Sequence, residues 1–526
     1  MSEPLLDLEG PHRLDDVLQV ARGAARLAPS DRVLSRVRDS HAVVRRYLDA
    51  GAPAYGVNRG LGPLKDRSID ESDVSDFQSF VIRTHDAGVG KTLTAEEARA
   101  LIVVRVMLIA NGGSGASPEL FDALIGLLNH DVLPIVHEYG SVGSADLAAM
   151  AAIGTTLLGR GHALIPGTGH DWERIEASSA LKRNGLSPVR LQPKDGLSLV
   201  GSNAGSLALA SLLIDRYKRF LDGMVPVLAL SIEFIRADMG AYHESIQTAH
   251  PYPGQGEVAA ELRRALRGGA LSDGETPVRS LQSPVSFRTI PQVCGALLTR
   301  VRGLEDSWRI EMGSAPDNPL VDAESGTIMS NGNFSTIELS LDVETVKNAV
   351  AHVSQLSEWR IAQMIRTLRL GRGFDDQMAD TAGEGPSRFV PISTNTASSL
   401  LSDIKAETAT ISLSGAVVGD GVEDHNAQAW RTIRSAQRQL DLAGWLFSLE
   451  AVVARNGLLS HGEQRDKRTL GAAARRLFDA VDDVEQAAGP EASFADIVDG
   501  IRAALFGADR IWRGEWDIHN TRLQIG

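Results

Sequence analysis

Apolar positions return with a helical period along much of this 526-residue chain. Between Trp430 and Leu458, the residues Ile433, Ala436, Leu440, Ala443, Leu446 and Val453 fall on one stripe. The same period runs through Glu96–Ile109, Ser206–Leu228, Ile337–Leu368 and Gly471–Ala487. Several of these runs exceed the roughly 10 to 14 residues of an ordinary globular helix. The pattern therefore predicts an all-α fold built on a bundle of long central helices. Strand-like alternation is scarce, and no segment repeats at the period of a solenoid.

Glycine-dense islands interrupt the periodic runs: Gly51–Gly62, Gly112–Gly115, Gly140–Gly143, Gly196–Gly205, Gly313–Gly332 and Gly371–Gly385. Glycine reaches backbone conformations closed to other residues, so these islands are expected to be functional loops carried between helices. No low-complexity linker divides the chain. The expectation is one unit over 1–526, with a loop-bearing part at 1–200 and the helical bundle and last helices at 201–526.

Composition narrows the function. Lys and Arg total 53 against 67 Asp and Glu, a net charge of −14 that argues against a nucleic-acid partner. No window forms an uninterrupted apolar run of the about 20 residues that span a bilayer, so no membrane partner is expected. The first residues are acidic where a secretion signal is basic and then apolar, which implies a cytoplasmic protein. The single Cys294 excludes an internal disulfide and a thiolate metal cluster. No HExxH or similar spacing points to zinc, so no metal is expected. Asn111-Gly112-Gly113-Ser114-Gly115 lacks the preceding strand and the spacing of a phosphate-binding loop.

The specific signal is an ordered series of segments. Tyr55-Gly56-Val57-Asn58-Arg59-Gly60-Leu61-Gly62 comes first, followed by Phe77-Gln78 and Thr84-His85-Asp86-Ala87-Gly88-Val89-Gly90. Arg105, Gly112-Gly113-Ser114-Gly115, Gly140-Ser141-Val142-Gly143 and Asp146-Leu147-Ala148 come next. Then follow Lys194-Asp195-Gly196-Leu197, Gln282 with Ser286, Arg288 and Pro291-Gln292-Val293, Asp317-Asn318-Pro319, Gly332-Asn333-Phe334 and Glu423-Asp424-His425. In this order the series resembles the aromatic amino acid ammonia-lyase family, over roughly residues 50 to 430. The resemblance implies that family's fold, a long helical bundle with glycine-rich active-site loops. It also implies a homotetramer in which several copies build each site.

The departures from the pattern carry the functional reading. Family members make an electrophile, methylidene-imidazolone, by cyclising Ala-Ser-Gly within GSVGASGDLA. The nitrogen of the third residue attacks the first carbonyl, and glycine permits that close approach. Here the segment reads Gly140-Ser141-Val142-Gly143-Ser144-Ala145-Asp146-Leu147-Ala148, one residue shorter and with alanine where glycine is needed. Gly201-Ser202 replaces the family's Asn-Gly and displaces Asn203, Val285 replaces a tyrosine, and Ser335 replaces a histidine. The expected cofactor is therefore none.

Elimination across Cα–Cβ needs a base for the β proton and a competent leaving amine. An ordinary amino group leaves poorly, which is what the electrophile remedies. A quaternary ammonium has no lone pair with which to attack an electrophile, and it departs as a neutral tertiary amine. The pattern thus implies a carbon–nitrogen lyase that eliminates trimethylamine from a small zwitterion, a histidine-type betaine such as ergothioneine or hercynine. Two alternatives stand beside it: a prosthetic-group-dependent ammonia-lyase or aminomutase that cyclises Gly143-Ser144-Ala145, and an inactive homologue that serves as a binding protein.

The resemblance assigns roles residue by residue. Tyr55 would take the β proton; a phenol with a pKa near 10 needs nearby positive charge for this, and Arg59 and Lys65 share its loop. Arg288 would clamp the substrate carboxylate through a bidentate guanidinium contact. Glu423 would accept a ring N–H, or else form an interhelical ion pair. Phe334 would face the ring or the trimethylammonium, since aromatic faces attract such cations, or else pack in the core. Asn58, Lys65, His85, Asn203, Gln282 and Asn318 are either substrate contacts or structural. Ser144 and Asp146, on the altered loop, would line the amine pocket.

Overall fold

A computed structural model describes residues 3–169, 171–369, 392–460, 469–489 and 491–516. Helices dominate it, as the periodicity predicts. The runs read from sequence appear as Ala204–Ile235, Ile337–Arg369, Ala429–Ser460 and Ala472–Ala488, and a further long helix occupies Ile290–Met312. The longest, at 33 residues, rises about 50 Å at 1.5 Å per residue. The glycine island Gly371–Gly385 lies outside the described residues.

The helix Ala95–Ala110 departs from its expected form. Every residue from Ala98 to Ala110 is buried, so this is a core helix covered on all faces rather than an amphipathic one. Its start is fixed reciprocally: Thr94 Oγ1 accepts from the Glu97 backbone N–H at 3.2 Å, and the Glu97 carboxylate accepts from the Thr94 N–H at 2.9 Å.

The chain folds into two units. The first comprises Met1–Leu213, Glu305–Leu341 and Thr410–Arg434, and the second Ile214–Leu304, Asp342–Ala409 and Ser435–Gly526. The long helices Ala204–Ile235, Ile290–Met312, Ile337–Arg369 and Ala429–Ser460 each give residues to both.

In the first unit, Leu14–Ala21, Asp31–Asp49 and Pro118–Asn129 pack on Ala95–Ala110. The strands are short and all belong to this unit among the described residues. Leu5–Leu6 pairs in parallel with Arg26–Leu27, and Val89–Thr92 pairs antiparallel with His137–Tyr139. His162–Pro166 lies between Leu133–Pro134 and Trp172–Glu176 in an antiparallel sheet. Leu320–Asp322 pairs with Thr327–Met329 in the register Leu320 to Met329. A small apolar cluster of Val43, Val44, Ala54, Val57 and Val321 seats the Tyr55 loop between the helix Asp31–Asp49 and this hairpin. Each fully buried valine there contributes about 1.5–3 kcal/mol.

In the second unit, Ala472–Ala488 packs on both Pro253–Leu266 and Phe494–Phe506, and Phe220 sits 5.3 Å from the rings of both Phe447 and Phe506. Cys294 is buried, which pushes its thiol up to about 12 and leaves it unreactive. Two helical stretches, Asp195–Ile235 and Ala429–Leu459, are long and apolar enough to cross a bilayer, contrary to the sequence reading. Their most apolar windows are 94% and 83% buried inside the protein, as core helices are.

Candidate active site

Tyr55 stands on a loop whose shape is set by its neighbours' polar groups. Gly56 has φ +66°, and a Cβ there would collide with Leu197 and Leu61. Asn58 spends its amide on the loop itself: its oxygen accepts from Ala54 N and its nitrogen donates to Ala52 O, both at 2.8 Å. This residue shapes the loop through both arms of its amide and lines neither of the cavities described below. The buried Gln78 ties the loop to the helix Asp195–Val200, donating to Gly56 O at 3.0 Å and accepting from Gly196 N at 2.9 Å. The Gly62 N–H donates to the Tyr55 phenol oxygen at 3.1 Å and fixes the direction of the ring. Of the two loop cations, Arg59 donates to Ser68 Oγ, and Lys65 lies 3.4 Å from Asp66 at the rim.

Two cavities of the first unit share Tyr55, Leu147, Leu197 and Glu423 in their walls. The larger, of about 560 Å³, is mostly apolar, with Phe77, Phe80 and Val81 on one helix face and His85 beyond them. The smaller, of about 300 Å³, is lined by Lys65, Ser144, Ala145, Asn318, Ser330 and Phe334. Glu423 stands at both. Burial raises its pKa above the usual carboxylate range, against the opposing attraction of His85. His85 Nδ1 lies 2.7 Å from Val81 O, an acceptor, so Nδ1 is the donor in that contact.

The altered loop is held from several sides. Gly143 has φ +87°, and a Cβ there would come within 2.6 Å of Gln428 N. Ala145, with φ +63°, takes a left-handed conformation that costs an L-residue energy. Ser144 Oγ donates to His425 O at 3.1 Å, while the Ser144 backbone pairs with Ser335. Asp146 is buried beneath the loop. Its Oδ1 accepts from the hydroxyls of Ser141 at 2.6 Å and Ser206 at 2.9 Å, and its Oδ2 accepts from Ser206 N at 2.6 Å. Burial nevertheless pushes its carboxyl upward. Asp146 lines neither cavity; it holds the loop onto the first turn of Ala204–Ile235.

Asn203 is also absent from both cavity walls, and 2% exposed. Its amide nitrogen donates to Glu311 Oε2 at 3.3 Å, and its oxygen has no partner among the described residues. Burial pushes Glu311 up to about 7. Asn318 accepts from Asn331 N at 3.0 Å, and a buried ion pair, Arg105 Nη2 to Asp317 Oδ1 at 2.8 Å, anchors the residue before it. Arg288 and Gln282 belong to the second unit and line neither cavity. Arg288 Nε donates to Ser283 O at 2.8 Å. The Gln282 amide oxygen, in the orientation that satisfies it, accepts from Nη1 and Nη2 at 3.1 Å.

The structure therefore brings Tyr55, Glu423, Lys65, His85, Ser144, Asn318 and Phe334 around the paired cavities. It does not bring Asn58, Asn203, Gln282 or Arg288 there. Sequence reasoning missed Phe80, Ala145 and Ser330 as wall residues. The available signal was helical spacing, which places Phe80 and Val81 on the face of Phe77 and His85.

The sequence pattern of the aromatic amino acid lyase family matches residues 12–483. A histidine ammonia-lyase of Myxococcus xanthus is 34% identical over 461 residues, covering 87% of this chain and 89% of that protein. Among solved structures, ergothionase of Treponema denticola, an ergothioneine-degrading enzyme, aligns with a TM-score of 0.86 at 23% identity. That alignment covers 95% of this chain and 98% of the other, and it speaks for the fold alone. Tyrosine aminomutase of Streptomyces globisporus aligns with a TM-score of 0.84 at 25% identity, over 96% of this chain and 97% of that one. The chain belongs to the aromatic amino acid lyase family, a family of carbon–nitrogen lyases with a helical-bundle fold.

Proposed function

We propose that this protein eliminates trimethylamine from a histidine-type betaine without an electrophilic prosthetic group. The observation that carries the reading is the loop Gly143-Ser144-Ala145. It keeps a glycine-type conformation, φ +63° at Ala145, yet carries a methyl group where cyclisation calls for glycine. These residues do not fit methylidene-imidazolone, while the base and the ring-facing carboxylate remain around one site.

In this reading Tyr55, as phenolate, takes the β proton. The C–H electrons form the Cα=Cβ bond, and the C–N electrons leave with neutral trimethylamine. Glu423 and His85 hold the ring in the larger cavity, Glu423 by accepting an N–H. Phe334 and the Tyr55 ring face the quaternary ammonium, with Lys65 and Asn318 beside the carboxylate. Arg288 is the principal carboxylate clamp. In this reading it serves a site that several copies of a homotetramer build together.

The test is turnover of ergothioneine, hercynine and histidine, following trimethylamine, ammonia and urocanate-like absorbance. Trimethylamine from a betaine is the expected product, and Tyr55→Phe should lower its formation by roughly 100- to 10,000-fold with the fold unchanged. Ammonia from histidine would overturn the reading. It would favour a prosthetic-group-dependent histidine ammonia-lyase, the alternative supported by the 34% identical relative. Intact mass separates the two independently, since cyclisation removes two waters. No turnover of any of the three would favour an inactive homologue.

A further inference from the structure

Arg288 ends the helix Val285–Arg288, which is four residues long. A single turn has too few internal hydrogen bonds to hold itself. Ser286 and Phe287 are buried, while Val285 is 55% exposed. Two buried side chains of the second unit also hold its backbone. The Tyr242 hydroxyl donates to Phe287 O at 3.0 Å, and Arg360 Nη1 donates to Ser286 O at 3.3 Å. Both carbonyls lie directly before Arg288 in the chain.

Arg360 is itself fixed. Its Nε meets Glu450 Oε1 at 2.6 Å and its Nη2 meets Oε2 at 2.8 Å, with both residues buried. The same carboxylate accepts from Ser231 Oγ at 2.8 Å and from Ser357 Oγ at 2.6 Å. A buried carboxylate with this many donors has one low-energy arrangement, and it sets the direction of the guanidinium. The Arg360 Nη1 contact is then spent on the backbone of the Arg288 turn. Arg288 has no carboxylate partner among the described residues. Its Nε rests on Ser283 O and its two Nη atoms face the Gln282 amide oxygen. Gln282 thus occupies the two-nitrogen edge at which a carboxylate binds a guanidinium bidentately.

We propose that Tyr242 and the Arg360–Glu450 pair are positioning residues. They fix the backbone from which Arg288 reaches the substrate carboxylate, and Gln282 holds that guanidinium edge until the carboxylate replaces it. This rests on the reading of Arg288 as the carboxylate clamp.

Calorimetric binding of two unreactive probes to the full-length protein tests it: imidazolepropionate, and 4-ethylimidazole, which lacks the carboxylate. Tyr242→Phe should weaken imidazolepropionate about 3- to 10-fold, the scale of one hydrogen bond, and leave 4-ethylimidazole unchanged. Arg360→Lys keeps the charge, loses the fork and should act in the same direction, which covers the case in which Tyr242→Phe fails to fold. Equal weakening of both probes, or no change in either variant, would overturn the proposal. If Arg288→Lys costs no carboxylate-dependent affinity, the clamp and its positioning fall together. A wild-type protein that discriminates the probes through Arg288 and Tyr242 but releases no trimethylamine would sink only the trimethylamine reading.

Discussion

Glu423 is the residue whose protonation state is easiest to read from outside. In the proposed reading it accepts the ring N–H as a carboxylate and loses that role as a carboxylic acid. Burial raises its pKa, and His85 only partly offsets this. Catalytic efficiency should therefore fall as pH drops through a value above the ordinary carboxylate range. Glu423→Gln should flatten that acid limb of kcat/KM against pH while lowering the plateau, since an amide oxygen accepts at every pH but carries no charge. An unchanged acid limb in the variant would remove Glu423 from the ring-binding role. Asn203 shows the limit of residue identity as a guide. It stands in a segment resembling an active-site loop, yet its amide is turned to the half-buried Glu311.

At the scale of elements, the altered loop and the helix Ala204–Ile235 are one assembly, joined by Asp146. The carboxylate sits at the helix N-terminus, where backbone N–H groups and the helix dipole favour it. It also takes the hydroxyls of Ser141 and Ser206. Asp146→Ala would strand buried donors at Ser206 and Gly205, so urea unfolding should show a loss of about 2–4 kcal/mol. A loss below about 0.5 kcal/mol would mean that the loop holds without this junction. Periodicity located the long helices but misjudged Ala95–Ala110. A stripe reports one buried face, and only packing by helices on every side makes the remaining faces apolar as well.

At the scale of the whole molecule, the proposed reading has several copies of the chain share each site. Arg288 and Gln282 belong to the second unit, and the cavities walled by Tyr55 and Glu423 belong to the first. Apolar side chains around them are exposed, Leu281 at 97% and Val285 at 55%. Sedimentation equilibrium should give four times the 56.3 kDa chain mass. Mixing an inactive Tyr55→Phe chain with an inactive Arg288→Ala chain should restore part of the activity, because a shared site can draw its base from one chain and its clamp from the other. A monomeric mass with full activity would refute shared sites.

The helical class, the glycine-rich loops and the family were legible in the sequence because each depends on local chemistry. A stripe of apolar residues needs only its own helix, and the φ of +66° at Gly56 needs only a residue without a side chain. The motif series likewise placed Tyr55 and Glu423 among the site residues. Their meeting at one pair of cavities depended on tertiary structure, since they lie far apart in the chain and only the packing of separate segments joins them. The same holds for the raised pKa of Glu311, the positioning network beneath Arg288 and the aromatic wall of Phe77 and Phe80. Burial and hydrogen-bond partners are properties of the assembled interior, and no local pattern encodes which distant groups will supply them.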